Sequence, residues 1–394
     1  MKKILFVDDE SRILDGLRRM LRPMLNEWEM AFVTSGAEAL ETLAAGPFDV
    51  VVSDMRMPGM DGAQLLTEVR RHYPEVVRII LSGYTEHEQT LRSLGPVHQF
   101  LQKPCDSAAI KETVGRSCAL RDLLTGEPLQ RAISRMEPLP ALPALYLELV
   151  DALASPQTAT RRVGELIAAH PLIEAKLLEV ANSGAFNLPR SLSSAANAVT
   201  FLGPATVMAL ALMIEVFSLF RPDQLPESFS AELWAQSLHV GIFAKRAARS
   251  EGQGPELSEE AFVAGLLHRV GSLMLACLQP ESYQRVLDLV RAGRRSLEEA
   301  ELEVFGATQA EVGAYLLGRW GLPTSIVEAV AYHQHPERCL ARSFVPLTAV
   351  HVGAALDFEA RSMPPEQGAT FLNLDYLTTL ELDDRLPVWQ QLCG

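Results

Sequence analysis

The chain has 394 residues and a formal net charge of −14, with 48% apolar and 21% charged residues. This composition excludes an intrinsically disordered chain, and the length predicts two or three domains. Because phosphate backbones and anionic lipids repel an acidic chain, a nucleic acid or a membrane would be a main partner only through a local basic patch.

Cysteine usage and apolar runs predict a cytoplasmic protein without a membrane segment. The five cysteines are scattered and form no Cys-x-x-Cys pair, which excludes a zinc framework and a disulfide ladder. Asp8, Asp9 and Glu10 interrupt the first apolar run too early for a signal peptide. The longest apolar stretch, residues 205–220, contains Glu215 and is shorter than the roughly 20 residues of a membrane span, so we predict a buried helix there.

Residues 1–122 alternate short apolar runs with amphipathic stretches. Four runs have the length of strands buried on both faces; they are residues 4–7, 49–54, 77–81 and 99–101. Apolar residues at helical spacing follow the first run from Ile13 to Met24 and the second from Leu65 to Val69. Strands that alternate with helices predict a doubly wound parallel sheet with helices on both faces.

Beyond about residue 123 strand patterns nearly vanish, and helical stretches punctuated by Pro and Gly follow one another. We therefore predict a second, all-α domain. The connection, residues 123–142, contains Gly126, Pro128, Pro138 and Pro140. This composition predicts a short, proline-stiffened and partly helical linker rather than a flexible tether.

Polar side chains lie where the predicted strands end. Asp8 and Asp9 end the first strand, Asp54 the third, Ser82 the fourth and Lys103 the fifth. Because the carboxyl ends of parallel strands share one edge, three carboxylates, a hydroxyl and an ammonium are expected to converge. Clustered carboxylates need a cation, and oxygen ligands favour a hard ion such as Mg2+. This set suits phosphoryl transfer onto an aspartate.

The arrangement resembles the receiver domain of bacterial two-component response regulators, which implies a flavodoxin-like fold with a five-stranded parallel sheet for residues 1–122. The matching features occur in the order seen in the family. Each feature alone is a weak indicator of a receiver domain, but the ordered set is a specific one. They are the Asp8-Asp9 pair, Asp54 within DMRMPGMDG, Ser82 within LSGYT, Phe100, and Lys103-Pro104.

The resemblance implies a role for each of these residues. Asp54 would accept phosphate from a partner histidine kinase, and the receiver would also take phosphate from small donors and lose it unaided. Asp9, Asp54 and the backbone carbonyl of Arg56 would bind Mg2+, with Asp8 acting through a water. Lys103 would pair with phosphoryl oxygens. Ser82 and Phe100 would turn inward and remodel the face around the fourth helix and the fifth strand.

Arg56 and Tyr84 lie two residues beyond Asp54 and Ser82. Both are bulky and would hinder the hydrolytic water, which gives the hypothesis of slow phosphate loss. Alternatively, both simply point into solvent. Small residues at both positions are expected to speed dephosphorylation, and unchanged decay would contradict the hypothesis.

Residues from about 129 resemble the HDOD domain, an all-helical relative of the HD metal-dependent phosphohydrolases. The resemblance extends to about residue 336, and the chain beyond it is predicted to form packing helices of the same output domain, 129–394. Six segments carry it in order: LPALPALYLELVDAL, HPLIEAKLLEVANSGAF, SLSSAANAVTFLG, LWAQSLHVGIFAKRAA, AFVAGLLHRVGSLML and GAYLLGRWGLPTSIVEAVAYHQHP.

The output domain departs from the HD pattern at the metal ligands. An HD hydrolase holds one or two metals through histidines and aspartates, and a bridging water is the nucleophile. Four positions differ: Gln236 replaces the first histidine, Arg269 the aspartate after His268, Gln309 a histidine of the phosphodiesterase branch, and Gln334 the histidine after His333. Since a guanidinium puts positive charge where a dication would sit, we predict no metal there.

The remaining polar residues of this region have alternative interpretations. His268 and His333 are expected to be hydrogen-bonded core residues rather than ligands. His239, one turn after Gln236, would be a weak replacement ligand. Arg269 would either pair with a nearby carboxylate or face a cavity and bind an anion.

Basic pairs elsewhere in the output domain do not indicate a nucleic-acid partner. They are Arg161-Arg162, Lys245-Arg246 and Arg294-Arg295, isolated among acidic neighbours and without interleaved aromatics. They are typical of solvated helix faces. Residues 1–122 carry 15 basic and 18 acidic residues, and residues 123–394 carry 20 and 31, so most of the negative charge lies in the output domain and suits a protein-binding surface.

The sequence therefore predicts a cytoplasmic bacterial response regulator. Phosphorylation of Asp54 would switch a non-catalytic helical output that binds a partner protein, a second copy of the chain in a phosphorylation-dependent homodimer, or a small signalling ligand. The alternative is an HD-type phosphodiesterase of a cyclic dinucleotide or another phosphoester.

Overall fold

The computed structural model divides the chain into two compact units, Met1–Leu123 and Leu124–Gly394. Within them, the structure describes residues 1–73, 76–82, 99–103, 105–136, 139–153, 156–186, 190–220, 227–361 and 372–392.

A five-stranded parallel sheet forms the centre of the first unit, in the strand order β2-β1-β3-β4-β5. The predicted doubly wound parallel sheet is thus confirmed. The order reverses between β1 and β3, which is where sites form in such sheets. The strands are β1 (Lys2–Val7), β2 (Trp28–Val33), β3 (Val50–Asp54), β4 (Val77–Ser82) and β5 (Gln99–Gln102).

Helices pack on both faces of this sheet because each presents an apolar stripe to it. Ile4, Phe6 and Val52 point to one face, with α1 and α4, whereas Leu5 and Val51 point to the other, with α2 and α3. Residues 83–98, between β4 and β5, lie outside the described residues. The described helices are α1 (Ser11–Met20), α2 (Gly36–Ala45), α3 (Gly62–His72) and α4 (Ser107–Leu124), with a 3-10 turn at Arg22–Asn26.

The described residues of the second unit are helical and contain no strand, as predicted. The helices are α5 (Glu127–Ser134), α6 (Ala144–Leu153), α7 (Pro156–Ala168), α8 (Pro171–Asn182), α9 (Ala195–Leu202), α10 (Pro204–Leu219), α11 (Glu227–Ser250), α12 (Pro255–Leu267), α13 (Val270–Leu278), α14 (Pro280–Arg291), α15 (Leu297–Phe305), α16 (Gln309–Trp320), α17 (Thr324–Tyr332), α18 (Pro346–Arg361), α19 (Leu374–Thr379) and α20 (Leu386–Leu392), with 3-10 turns at Pro336–Arg338 and Asp383–Arg385.

Two apolar stretches form the core of this unit. Helix α10, predicted as a buried helix, buries nine of its residues. Residues 255–278 have the length and hydropathy of a membrane span, but 83% of the most apolar window is buried inside the unit. Burial of that extent is typical of a core helix.

The connecting segment packs on the second unit rather than standing apart from it. Helix α5 buries Leu129, Ala132 and Ile133. Farther along, the Trp320 indole N–H donates a hydrogen bond to the Pro140 carbonyl at 3.0 Å. Both described parts of the connection, residues 123–136 and 139–142, are therefore held by contacts with other residues.

Candidate functional sites

Three predicted residues meet at the edge of the sheet where β1, β3 and β5 end. Asp8 follows β1 and is 1% exposed, whereas Asp54 is the last residue of β3 and is partly exposed. The Lys103 ammonium, just beyond β5, donates one hydrogen bond to Asp54 Oδ1 and another, of 2.9 Å, to Asp8 Oδ2. A single cation thus bridges two carboxylates at the point where the strand order reverses.

The charges of this cluster shift one another's proton affinity. Burial raises the pKa of the Asp54 carboxyl above its usual value, against the hydrogen bond and charge of Lys103. Burial also works to lower the pKa of Lys103, but the two carboxylates outweigh it and the pKa rises. The lysine is therefore held as an ammonium beside the aspartate.

The loop after β3 fixes Asp54 from the other side. The Arg56 backbone N–H donates to Asp54 Oδ2 at 2.6 Å. Asp61 then starts α3 with a capping box completed by Gln64. The next residue is Gly62, where a Cβ atom would lie 2.2 Å from the Asp54 carbonyl oxygen. Only glycine allows this close approach of α3 to the end of β3.

The oxygen atoms near Asp54 fit a hard cation. Asp9 is exposed and, with Arg56 and Asp61, lines an open depression of about 480 Å³. Oxygen donors beside the Asp54 carboxylate match the preference of Mg2+ for carboxylates, carbonyls and water. In the described parts of the chain, no group of three acidic, histidine or cysteine side chains is arranged as a metal site.

Part of the predicted switch lies outside the described residues. Ser82 ends β4 and Phe100 lies in β5, as predicted for the backbone, but their side chains are outside the described part. Tyr84 and Pro104 are outside it altogether. Arg56 is exposed, and the hypothesis of slow phosphate loss stays a prediction.

In the second unit, His268 and His333 lie together in the core. They follow α12 and α17 and are 3% and 1% exposed, with ring centroids 5.2 Å apart. Each ring donates its Nδ1–H to the carbonyl three residues earlier, Gly265 at 2.7 Å and Val330 at 2.9 Å. Burial lowers the pKa of His268 well below its usual value and that of His333 to about 3. Both rings are therefore neutral.

Arg269 lies close enough to this pair for its charge to act on both rings, since it contributes to the lowered pKa of each. Its Nε atom is buried and has no hydrogen-bond partner within the described residues. A fixed positive charge beside both histidines opposes binding of a dication between them.

Gln309, at the start of α16, is 0% exposed and hydrogen-bonds through its backbone. Its N–H donates to Glu301 Oε2 at 2.8 Å, whereas its side-chain oxygen and nitrogen have no partner among the described residues. Glu301, on α15, is also 0% exposed. Burial raises the pKa of Glu301 to about 7.

His239 pairs with a buried carboxylate on another helix. Its Nδ1 bonds Asp357 on α18 at 2.5 Å, and Asp357 is only 4% exposed. Gln236, one turn earlier on α11, is partly exposed. The structure thus brings His268 and His333 into contact, places Arg269 beside them, and pairs His239 with Asp357.

Sequence reasoning missed three buried polar residues of this region. Asp357 orients His239, and Glu301 binds the start of α16. His351 donates from Nδ1 to the His333 carbonyl at 2.7 Å and accepts the Asn373 N–H at Nε2.

Comparison with known proteins assigns both units. The family model of the response regulator receiver domain matches residues 4–115, and that of the HDOD domain matches residues 139–336. The hydrogenase transcriptional regulatory protein HoxA of Cupriavidus necator is 33% identical over 183 residues, 43% of this chain and 37% of that protein. The response regulator FleR of Pseudomonas aeruginosa is 32% identical over 115 residues, 29% of this chain and 24% of that protein. The chain thus aligns with well under half of the length of these relatives.

Two solved structures share the fold of the second unit. An HDOD domain protein from Geobacter sulfurreducens has a TM-score of 0.54 and 23% identity, covering 69% of this chain and 89% of that one. A Shewanella amazonensis SB2B protein with a provisional phosphohydrolase name has a TM-score of 0.50 and 21% identity, covering 68% and 97%. Together with the two family matches, these findings show that the chain belongs to the two-component response regulators that combine an N-terminal receiver domain with a C-terminal HDOD output domain.

Proposed function

We propose that Mg2+-dependent phosphorylation of Asp54 switches the HDOD output, and that the output acts by binding rather than by catalysis. The observation that supports this most strongly is the Lys103 ammonium bridging Asp8 and Asp54 at the sheet edge. A carboxylate nucleophile held beside a cation, and open to solvent on one side, suits attack on a phosphoryl group.

In the proposed reaction, an Asp54 carboxylate oxygen attacks the phosphorus of a phosphohistidine on the kinase or of a small donor such as acetyl phosphate. The bond from phosphorus to the leaving group breaks, and an acyl phosphate forms on Asp54. The Lys103 ammonium then pairs with a phosphoryl oxygen, while the Arg56 N–H orients the attacking carboxylate beforehand.

The residues that would hold Mg2+ are Asp9, Asp54 and the Arg56 carbonyl, with Asp8 acting through a water. Bound there, the ion supplies positive charge to the phosphoryl oxygens. Ser82 would then hydrogen-bond the phosphoryl group, and Phe100 would follow it. The receiver spans residues 1–122, the connection residues 123–142 and the output residues 129–394 in this proposal.

The non-catalytic part of the proposal is supported by the Arg269 guanidinium beside the neutral His268–His333 pair. Removing a ligand carboxylate and adding a positive charge both weaken a metal site. A regulator of this kind would work in the cytoplasm with a histidine kinase as its partner. Its output would contact a protein, a second copy of the chain or a small ligand.

The test is to treat the full chain with Mg2+ and either acetyl phosphate or beryllofluoride, and to measure its association with captured partners and its oligomeric state. The response is expected in the wild type and not in Asp54→Ala. An equal response in both proteins would contradict the site assignment. Metal analysis of the purified chain tests the output domain separately. A tightly bound transition metal would favour the alternative function, an HD-type phosphodiesterase.

A further inference from the structure

Among the buried polar atoms of the HDOD unit that have no hydrogen-bond partner within the described residues, four belong to Arg269, Glu301 and Gln309. They are Arg269 Nε, Glu301 Oε1 and both polar side-chain atoms of Gln309. A buried polar atom that loses its hydrogen bonds to water and forms none in the protein destabilises the folded state. Native proteins provide hydrogen-bond partners for nearly all of their buried polar atoms. Four such atoms on three side chains therefore indicate a bound polar species.

The three side chains form one group, here called the central polar cluster. The Gln309 N–H binds Glu301 Oε2, and the charge of Arg269 acts on Glu301. Gly271, two residues after Arg269, packs so tightly on α16 that a Cβ atom would lie 1.9 Å from the Gln309 carbonyl oxygen. The cluster therefore joins the start of α13, α15 and the start of α16.

The charges around the cluster favour an anion as the bound species. Arg269 is its cation, while burial keeps His268 and His333 neutral and raises the pKa of Glu301 to about 7. Near and below neutral pH, Glu301 is therefore protonated in much of the population and does not neutralise the guanidinium. A guanidinium whose buried Nε–H has no acceptor attracts an anion.

The other titratable groups that face Glu301 do not supply this counter-charge. Glu298 pairs with His335 at 2.8 Å, and Glu311 accepts the Thr308 N–H at 2.9 Å. Tyr283, on α14, is 1% exposed, and burial raises its pKa to about 12, so its hydroxyl stays neutral. The Glu298 and Glu311 carboxylates thus bind other groups of the protein.

We propose that the central polar cluster binds one small inorganic monoanion, such as chloride, bromide or nitrate, together with one proton on Glu301. The donors are the Arg269 Nε–H, the side-chain amide N–H of Gln309 and the protonated Glu301 carboxyl. In the competing state the anion is absent, Glu301 is ionised, and it neutralises Arg269 directly. The proposal rests on the proposed absence of a catalytic metal, because the guanidinium takes the place of the dication.

The probe is bromide added to the full chain in halide-free buffer, with sodium gluconate at equal ionic strength as the reference. Thermal unfolding of the output domain is expected to shift upward with bromide at pH 6. Because binding takes up a proton, the affinity is expected to fall about tenfold for each pH unit above 7. Crystals soaked in bromide should show an anomalous peak beside Arg269 and Gln309.

Three variants sharpen this test. Glu301→Gln keeps a donor at this position and should bind bromide with little dependence on pH. Arg269→Met should lose the response to bromide. Arg294→Gln removes an exposed arginine of the same domain and should behave as the wild type.

The wild-type titration decides the matter even if a variant does not fold. Equal stabilisation by bromide and gluconate at pH 6, or only water in the anomalous map, would overturn the anion site. An undiminished response in folded Arg269→Met would also overturn it. A transition metal found in the purified protein would instead overturn the proposed function, so the two failures are distinguishable.

Discussion

The two domains each place a basic side chain among polar groups, but they use it differently. In the receiver, Lys103 bonds both Asp8 and Asp54, and the site is open to solvent beside Asp54. In the HDOD domain, the buried Nε of Arg269 has no partner within the described residues, and its neighbours are neutral rings and a glutamate whose pKa burial raises to about 7. Charged groups that are hydrogen-bonded to each other and still reached by solvent suit a reaction. A buried donor that has no acceptor in the protein instead suits the binding of a ligand.

The contrast between the two domains would fail most clearly if Asp54 were not the reactive group of the receiver. Asp54→Ala should reduce phosphoryl incorporation from acetyl phosphate to background, because no other described carboxylate is bonded to Lys103 and open to solvent. Intact-protein mass spectrometry measures the incorporation. Asp15→Asn, an exposed carboxylate on α1, is the matched control and should incorporate phosphate normally. Phosphate retained by Asp54→Ala would place the acceptor elsewhere.

A second test concerns the packing that positions the receiver site. Gly62→Ala should destabilise the receiver by about 3 kcal/mol, since its Cβ would overlap the Asp54 carbonyl and the backbone must move. Chemical denaturation measures the change. Gly16→Ala, in α1 with no atom within 4 Å of its Cβ, should instead be neutral or slightly stabilising. Equal effects of the two substitutions would contradict the close approach.

The buried histidines of the HDOD domain predict a dependence on pH. Burial lowers the pKa of His351 to about 4, below the 6.5 of an exposed histidine. Its contribution to stability is therefore complete above pH 6.5 and is lost as the pH falls, because only the unfolded chain takes up the proton. Between pH 7 and pH 5 this amounts to about 2 kcal/mol.

Glu301 acts in the opposite direction over the same window, since its raised pKa favours the folded state at low pH. The measurement is therefore a difference between proteins. His351→Gln should be destabilised by about 2 kcal/mol less at pH 5 than at pH 7, relative to the wild type. Urea unfolding followed by fluorescence reports mainly on this domain, which holds three of the four tryptophans, Trp234, Trp320 and Trp389. A difference that does not vary with pH would contradict the assignment.

The contrast between the two cations predicts a modest difference in stability between two substitutions. Lys103→Met leaves the Asp8 and Asp54 carboxylates to repel each other and should cost about 2 kcal/mol at pH 8. Arg269→Met removes an unsatisfied buried donor and should change stability by less than about 1 kcal/mol in halide-free buffer at pH 6. If Arg269→Met were the more costly of the two, Arg269 would have a protein partner.

Much of the receiver follows from sequence because its site residues end strands. Runs such as DVVVSD fix both the strand and the position of Asp54 at its end. The segment WEMAFV was not predicted as β2, since this edge strand buries only its two ends fully and shows neither a continuous apolar run nor a clean alternation.

The HDOD site is less accessible to sequence reasoning because its groups come from several helices. Departures from the ligand pattern located Arg269 and Gln309, but not the residues that contact them. Glu301 and Asp357 look like solvated carboxylates in the sequence, and only the packing of α15 and α18 buries them. His239 illustrates the same limit, because helical spacing brings it near Gln236 and tertiary structure pairs it with Asp357.

The central claim is that a change at Asp54 reaches the HDOD domain. Hydrogen–deuterium exchange of the full chain with Mg2+, with and without beryllofluoride, tests it most directly. We expect altered exchange at β4 and β5 and also within residues 124–394, and neither change in Asp54→Ala. Altered exchange confined to the receiver, or an identical response in Asp54→Ala, would contradict the account.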